Sequence, residues 1–234
     1  MSLSNHPSLS IAEKLAGLLP TLAFYFAEDE ARILNTELKT EILAAISEAD
    51  KAAKNSFARQ SVVNQMNYIL QSAKLMEEAK TLLTKELDRS ESAYYFMSSL
   101  GSIAEKEKDF NLAIDWRRKA YETSKGPATR FQWGANYVRA LIRLQPENST
   151  LISETALGLF DELESSDDAF VGRNFRVLRS LNKTLIAYNA EKDETTIAPF
   201  TANIEGKCKL QLAASIAAVN CASLTNDQEL RAKG

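Results

Sequence analysis

The stretch from Ser92 to Leu144 constrains the fold most, because its signals recur at a fixed spacing. Gly101 and Gly134 lie 33 residues apart, and each follows a large apolar residue, Leu100 or Trp133. A recurrence of about 20–50 residues is typical of chains built from repeated supersecondary units. The apolar residues around the glycines recur at three- and four-residue steps. The stretch therefore predicts a helix, a turn, a second helix and the start of another hairpin.

The central repeat is the best defined, with a first helix predicted over 94–106, a turn at 108–110 and a second helix over 112–124. Five positions follow a fixed order of side-chain types: a large residue, Leu100; a small one, Gly101; an aromatic one, Phe110; and two small ones, Ala113 and Ala120. This order resembles the tetratricopeptide repeat, whose period is about 34 residues. Lys108 replaces the usual turn glycine and Arg117 a common aromatic, so the repeat is degenerate.

The flanking segments also show helical patterns. Ser10 and Glu13 have the spacing of a capping box, which predicts a helix over 11–19 that is kinked at Pro20. Apolar stripes predict further helices within 33–46, 58–73, 76–87, 151–163 and 173–189. The alanine-rich run near the C-terminus is also predicted to be helical, and no segment alternates as a strand does.

We therefore expect an all-α fold, a right-handed stack of antiparallel helical hairpins with about ten to twelve helices, as in a tetratricopeptide-like α-solenoid. The predicted organisation has five parts. They are residues 1–9, a flexible lead-in or residues added for expression; 10–57, N-terminal helices packing on the repeats; 58–163, the repeat core; 164–226, C-terminal helices; and 227–234, a polar tail.

Composition excludes several functions. The net charge of −3 and a pI near 5.5, without a basic block, argue against nucleic-acid binding. The longest apolar run, 15–27, is too short for a bilayer span and contains Pro20, so membrane insertion is not expected. One histidine, His6, and two cysteines make a zinc site or a catalytic triad improbable, and no metal or cofactor is predicted.

The phrases YYFMSSL, AIDWRRKAYE and GPATRFQWG resemble the helical C-terminal region of some bacterial thioredoxin-family proteins, in which a thioredoxin domain precedes helical repeats. The resemblance implies a role in a thiol:disulfide protein of an oxidising envelope compartment, the bacterial periplasm, with the cytoplasm as the alternative. This chain has no Cys-x-x-Cys motif, so catalysis would belong to an attached thioredoxin domain. The chain itself is expected to be non-catalytic.

Candidate contact residues follow from the repeat register. The inner face of stacked helical hairpins binds peptides or partner helices, and tyrosine and arginine suit such interfaces. The predicted partner-binding residues are Tyr68, Tyr95, Ser102, Arg130, Phe131 and Arg139. For GPATRFQWG the structural alternative is that Gly126 and Pro127 set a helix boundary, Phe131 packs inside and Arg130 pairs with a carboxylate.

Two states remain possible for Cys208 and Cys221: a disulfide, or two buried free thiols. On one continuous helix, 13 residues would separate them by about 20 Å, beyond the reach of a disulfide. A bridge needs a bend between them, where no glycine or proline lies.

Three functions remain open from the sequence. The first is a protein- or peptide-binding module, with the attached thioredoxin domain as one candidate partner. The second is an all-helical enzyme or small-ligand binder, favoured by a pocket that converges Arg130, Arg139 and a carboxylate. The third is a self-associating structural module, for example a homodimer.

Overall fold

The computed structural model describes residues 8–27, 29, 31–162, 167–190 and 198–229, and within these ranges every regular element is a helix. The twelve α-helices of these ranges are α1 Ile11–Ala16, α2 Leu18–Ala27, α3 Thr36–Ala52, α4 Ser56–Ser72, α5 Met76–Leu87, α6 Tyr94–Lys106, α7 Phe110–Thr123, α8 Pro127–Leu144, α9 Ser149–Asp161, α10 Gly172–Ala190, α11 Ala198–Cys208 and α12 Ile216–Glu229. A short 3-10 helix, Asp167–Phe170, precedes α10. The all-α prediction is confirmed.

The chain divides into two compact units, Met1–Ile103 and Ala104–Gly234. The division falls inside α6, and therefore within the predicted repeat core at 58–163 and not at either end of it. The predicted lead-in lies outside the described residues except for Ser8 and Leu9. The predicted tail is helical over 227–229, where α12 continues, and lies outside the described residues from 230 onward.

The first unit is organised around α4. Helices α1, α2, α3 and α5 all contact it. Its apolar face supplies Val63, Met66 and Ile69, which are fully buried together with Ile42 of α3 and Leu83 of α5. Burial of side chains of this size is the main favourable contribution to folding, at about 1.5–3 kcal/mol each.

The N-terminal boundary of this unit follows the predicted capping box. Ser10 caps α1, and its hydroxyl accepts from the backbone of Glu13 while the Glu13 carboxylate accepts from the backbone of Ser10. The kink predicted at Pro20 is wrong, because the helix is interrupted at Gly17. Pro20 instead lies in the first turn of α2, where its missing N–H costs no intrahelical hydrogen bond.

The second unit is organised around α8. Helices α7, α9 and α10 contact α8, while α11 contacts α9 and α12 contacts α10 and α11. Because α8 is surrounded on several sides, it buries residues well beyond a single stripe. Phe160, Phe170 and Phe200 are each at most 1% exposed and extend the core toward the C-terminal helices.

Two interhelical turns have the same backbone conformation. Lys74 follows α4 and Lys108 follows α6, and both residues have positive φ angles, 60° and 64°. The next backbone N–H donates five residues back in each turn, from Leu75 to Leu70 at 2.8 Å and from Asp109 to Ala104 at 2.9 Å. This is the Schellman ending, in which glycine is the usual left-handed residue. The two lysines are 34 residues apart, so the sequence period has a backbone counterpart.

Candidate functional site

The candidates in the first unit differ in accessibility. Tyr68 on α4 is 57% exposed, which leaves most of its ring available to a partner. Tyr95 on α6 is half-buried, and its ring centroid lies 4.9 Å from that of Tyr94. Ser102 is also half-buried, and its hydroxyl donates to the backbone carbonyl of Ser98 at 3.2 Å. Tyr68 is therefore the accessible member of the three.

Arg130 lies in a polar cluster of the second unit. Gly126, with a φ of 82°, and Pro127 at the first helical position start α8 and place Arg130 one turn further on. Its Nε and Nη2 donate to the two carboxylate oxygens of Glu162, both at 2.9 Å. The guanidinium carbon also lies 4.9 Å from the ring centroid of Tyr121.

The same cluster shifts two acid–base equilibria. The hydrogen bonds from Arg130 hold the pKa of Glu162 below its ordinary value. Burial, followed by the hydrogen bond that its hydroxyl donates to Glu162, raises the pKa of Tyr121 to about 12. These contacts join the end of α7, the start of α8 and the end of α9. Arg130 therefore has the structural role that the alternative reading of GPATRFQWG assigned to it.

Phe131 and Arg139 are less available than the repeat register predicts. Phe131 is 2% exposed and belongs to the hydrophobic core, so the prediction that it contacts a partner is wrong for this conformation. Arg139 is half-buried and donates to the carbonyl of Val177 at 3.1 Å, and burial lowers its pKa. Since Arg130 and Arg139 bond to different partners, the two do not converge on one carboxylate.

Sequence reasoning missed an ionic cluster in the first unit. Glu86 of α5 is 1% exposed, and both of its oxygens accept from Arg59 of α4, at 2.9 and 2.6 Å. Arg59 also donates to Asp50 of α3 at 2.6 Å, and the hydrogen bond to Glu86 raises the pKa of Arg59. The cluster borders a groove of about 480 Å³. Its charges pair with one another, and these pairs connect three helices.

The two cysteines are joined by a disulfide, with a Cα–Cα distance of 5.5 Å. The C-terminal run is not one continuous helix, because α11 ends at Cys208 and α12 begins at Ile216. Ala214 adopts a φ of 63° in the connecting turn, a conformation that alanine rarely takes. The bend that the bridge requires is therefore present without glycine or proline.

The same turn carries a group of exposed apolar side chains that sequence reasoning also missed. Four large aliphatic residues are each about two-thirds exposed or more: Leu210 at 67%, Leu212 at 72%, Ile216 at 73% and Val219 at 66%. Lys209 is exposed beside them. The sequence pattern predicts only that the alanine-rich run is helical, and it does not indicate which of its residues face outward.

In the part of the chain that the structure describes, no cluster of three or more His, Cys, Asp or Glu side chains is suited to a metal ion. None of the helices described there combines the length and the hydropathy that a bilayer crossing requires. Comparisons with family models, curated proteins and solved structures find no match to this chain.

Proposed function

We propose that this chain is a non-catalytic, protein-binding module of tetratricopeptide-like helical hairpins that belongs to a thioredoxin-family thiol:disulfide protein. The recurrence of the Schellman turn at Lys74 and Lys108 is the observation that carries the proposal. Helical hairpins that repeat at about this period stack into solenoids, and solenoids present extended binding surfaces. The resemblance of GPATRFQWG and its neighbours supports the thioredoxin association.

The disulfide supports an oxidising compartment for the module. Disulfides persist in secreted and periplasmic proteins, while cytosolic thiols are normally kept reduced. Cys221 is 3% exposed and Cys208 is half-buried, so the Cys221 end of the bridge is shielded from attacking thiols. We therefore place the module in the bacterial periplasm in preference to the cytoplasm.

Tyr68 is the contact residue that we propose for the partner. A tyrosine offers a large, rigid ring with a polar end, and such residues often dominate binding energy. The expected partner is a protein or peptide, and the thioredoxin domain of the same gene product is the first candidate.

Calorimetric titration of the chain with that thioredoxin domain, oxidised and reduced, tests the proposal. We expect saturable binding that Tyr68→Ala weakens about tenfold, as loss of one contact side chain would. Phe24→Ala is the matched control, because Phe24 is an 83% exposed aromatic residue of the same unit. A native coding sequence without a thioredoxin domain, or equal losses in both variants, would contradict the proposal. Concentration-dependent dimers without such binding would favour the self-associating alternative.

A further inference from the structure

Helix α10 carries basic side chains and no acidic ones. Its basic residues are Arg173, Arg176, Arg179 and Lys183, and all four are exposed. An α-helix turns by about 100° per residue, which places the four within about one third of the helix circumference. Arg179 already interacts with another group, whereas the other three form no ion pair within the described part of the chain. We call Arg173, Arg176 and Lys183 the basic face.

The elements that pack against α10 bring their acidic residues to its other sides. Those residues, with the one in the adjoining turn before α9, are Glu147, Asp167, Asp168, Asp227 and Glu229. The 3-10 helix meets α10 at Asn174, α12 meets it at Asn182, and the turn before α9 meets it at Tyr188. Each of these three positions lies about 100° or more around the helix from Arg176 and Lys183. Helix α8, the remaining neighbour, has no acidic residue, and the acidic residues within 191–194, after α10, lie outside the described residues.

Arg139 of α8 adds a cation beside the basic face. Its guanidinium donates to the carbonyl of Val177 of α10 at 3.1 Å and to the side-chain oxygen of Asn136 at 3.2 Å. Val177 follows Arg173 by one turn on the same side of α10. Arg139 is half-buried, yet no carboxylate of the described residues pairs with it.

The other two arginines of α8 do have carboxylate partners. Arg130 pairs with Glu162 and Arg143 with Glu105, each through two hydrogen bonds of 2.7 to 2.9 Å. Removing a cation from water without a counter-ion is costly. A merely solvated charged face does not account for Arg139, whereas a carboxylate supplied by a partner does.

The surroundings of these cations favour a polypeptide as the source of that carboxylate. Guanidinium groups pair with carboxylates, as with phosphates, through two parallel hydrogen bonds. Single-stranded nucleic acids also need aromatic rings for stacking, and bilayers need aliphatic side chains that insert. None of the large exposed apolar residues of the described ranges lies on α8 or α10, and the net charge of −3 disfavours long polyanions.

We propose that the basic face and Arg139 form a docking site for an acidic segment of a protein partner. Carboxylates of that segment accept hydrogen bonds from Arg139, Arg173 and Arg176, and Lys183 adds attraction. The basic face spans ten residues of helix, about 15 Å, which matches four or five residues of extended chain. The inference does not depend on a thioredoxin partner or on binding through Tyr68.

Fluorescence anisotropy tests the proposal with the intact, oxidised chain. The probe is labelled octaglutamate, and labelled octaglutamine is the neutral comparison. We expect the affinity for octaglutamate to be at least about tenfold higher at low ionic strength, and to fall several-fold when the ionic strength rises to about 0.3 M.

Two variants should weaken binding of octaglutamate. Arg176→Gln with Lys183→Gln removes two exposed cations and should lower the affinity about fivefold. Arg139→Gln should lower it about tenfold, because a half-buried pair is screened less by salt. Thermal unfolding verifies folding, and Arg139→Gln should not lower the unfolding temperature, since it removes an unpaired, half-buried charge.

Lys125→Gln with Lys209→Gln is the matched control, because it removes two exposed cations that lie on neither α8 nor α10. It should leave the affinity within about twofold of the native chain. Equal affinities for the two peptides, equal losses in the face and control variants, or an unchanged affinity in Arg139→Gln would overturn the proposal. Tighter binding of octathymidylate, or of phosphatidylglycerol vesicles, that the face variants abolish would also overturn it and assign the face to nucleic acid or to a bilayer.

Discussion

At the scale of single residues, Gly134 shows why one glycine of the 33-residue pair is needed where it stands. A Cβ placed on Gly134 would overlap the Leu159 side chain and press against the Tyr121 ring. Gly134 is buried within α8, so its lack of a side chain permits close packing against α7 and α9. The glycine therefore serves packing, since its helical backbone is accessible to any residue.

We predict that Gly134→Ala destabilises the protein by about 1–3 kcal/mol, because the Leu159 side chain must move out of a filled core. Chemical denaturation measures the change in the free energy of unfolding. Gly158→Ala is the matched control, since nothing lies within 4 Å of its added Cβ on α9. That substitution should stabilise the protein by about 0.5–1 kcal/mol through higher helix propensity. Equal effects of the two substitutions would contradict the packing role.

Glu162 gives a prediction of pH dependence. Hydrogen bonds from Arg130 hold the pKa of Glu162 below its ordinary value of 4.5 in the folded chain. The carboxylate therefore stabilises the fold above the unfolded-state pKa, and this stabilisation is lost as the pH falls through the lower folded-state pKa. The pair is partly exposed, with Glu162 at 39%, so the contribution is about 1 kcal/mol or less.

We expect Glu162→Gln to remove this contribution at pH 6 and to leave stability less dependent on pH between about 5 and 3. Denaturation measured across this pH range checks the expectation. Glu154→Gln, at an exposed site of the same helix, should retain the pH dependence of the native chain. A Glu162→Gln variant that loses as much stability as the native chain on acidification would disprove the role of the ion pair.

At the scale of helices and turns, the Schellman ending after α6 contains a non-glycine residue with a left-handed backbone. Lys108 occupies the position that glycine usually takes in this ending, and its φ is 64°. A side chain in this conformation costs about 1–2 kcal/mol relative to the right-handed region. The chain therefore adopts this turn at an energetic cost.

We predict that Lys108→Gly stabilises the protein by about 0.5–1 kcal/mol, because glycine adopts this φ without steric strain. Lys108→Ala keeps the Cβ and should change stability by much less. Thermal and chemical unfolding of the two variants make the comparison. If the alanine variant gained as much as the glycine variant, left-handed strain at Lys108 would not be the cause.

The positions of helices could be predicted from the sequence wherever an apolar pattern within the helix itself marks its ends. The observed bounds of α6, Tyr94–Lys106, are those of the pattern, and α10 at Gly172–Ala190 differs from its predicted range by one residue at each end. The break at 209–215 was not predictable in the same way, because neither glycine nor proline marks it. Contacts from neighbouring helices and the disulfide fix that turn.

At the scale of the whole molecule, candidate sites were harder to predict than helices. Burial of Phe131 depends on three helices around α8, which a single amphipathic stripe does not encode. The pairing of Arg59 with Glu86 joins residues 27 positions apart that have no shared motif. Tyr68 is 57% exposed, and its role in binding a partner stays a prediction.

The redox behaviour of the cysteine pair tests the non-catalytic assignment most directly. A structural disulfide resists reduction by glutathione, whereas a catalytic pair exchanges readily with other thiols. Equilibration of the intact chain with dithiothreitol buffers, followed by thiol quantification, measures the reduction potential of Cys208 and Cys221. We predict a potential below about −300 mV and no reduction of insulin by the chain. A potential between about −120 and −270 mV, accompanied by catalysis of insulin reduction by dithiothreitol that is lost in Cys208→Ser, would contradict a non-catalytic module.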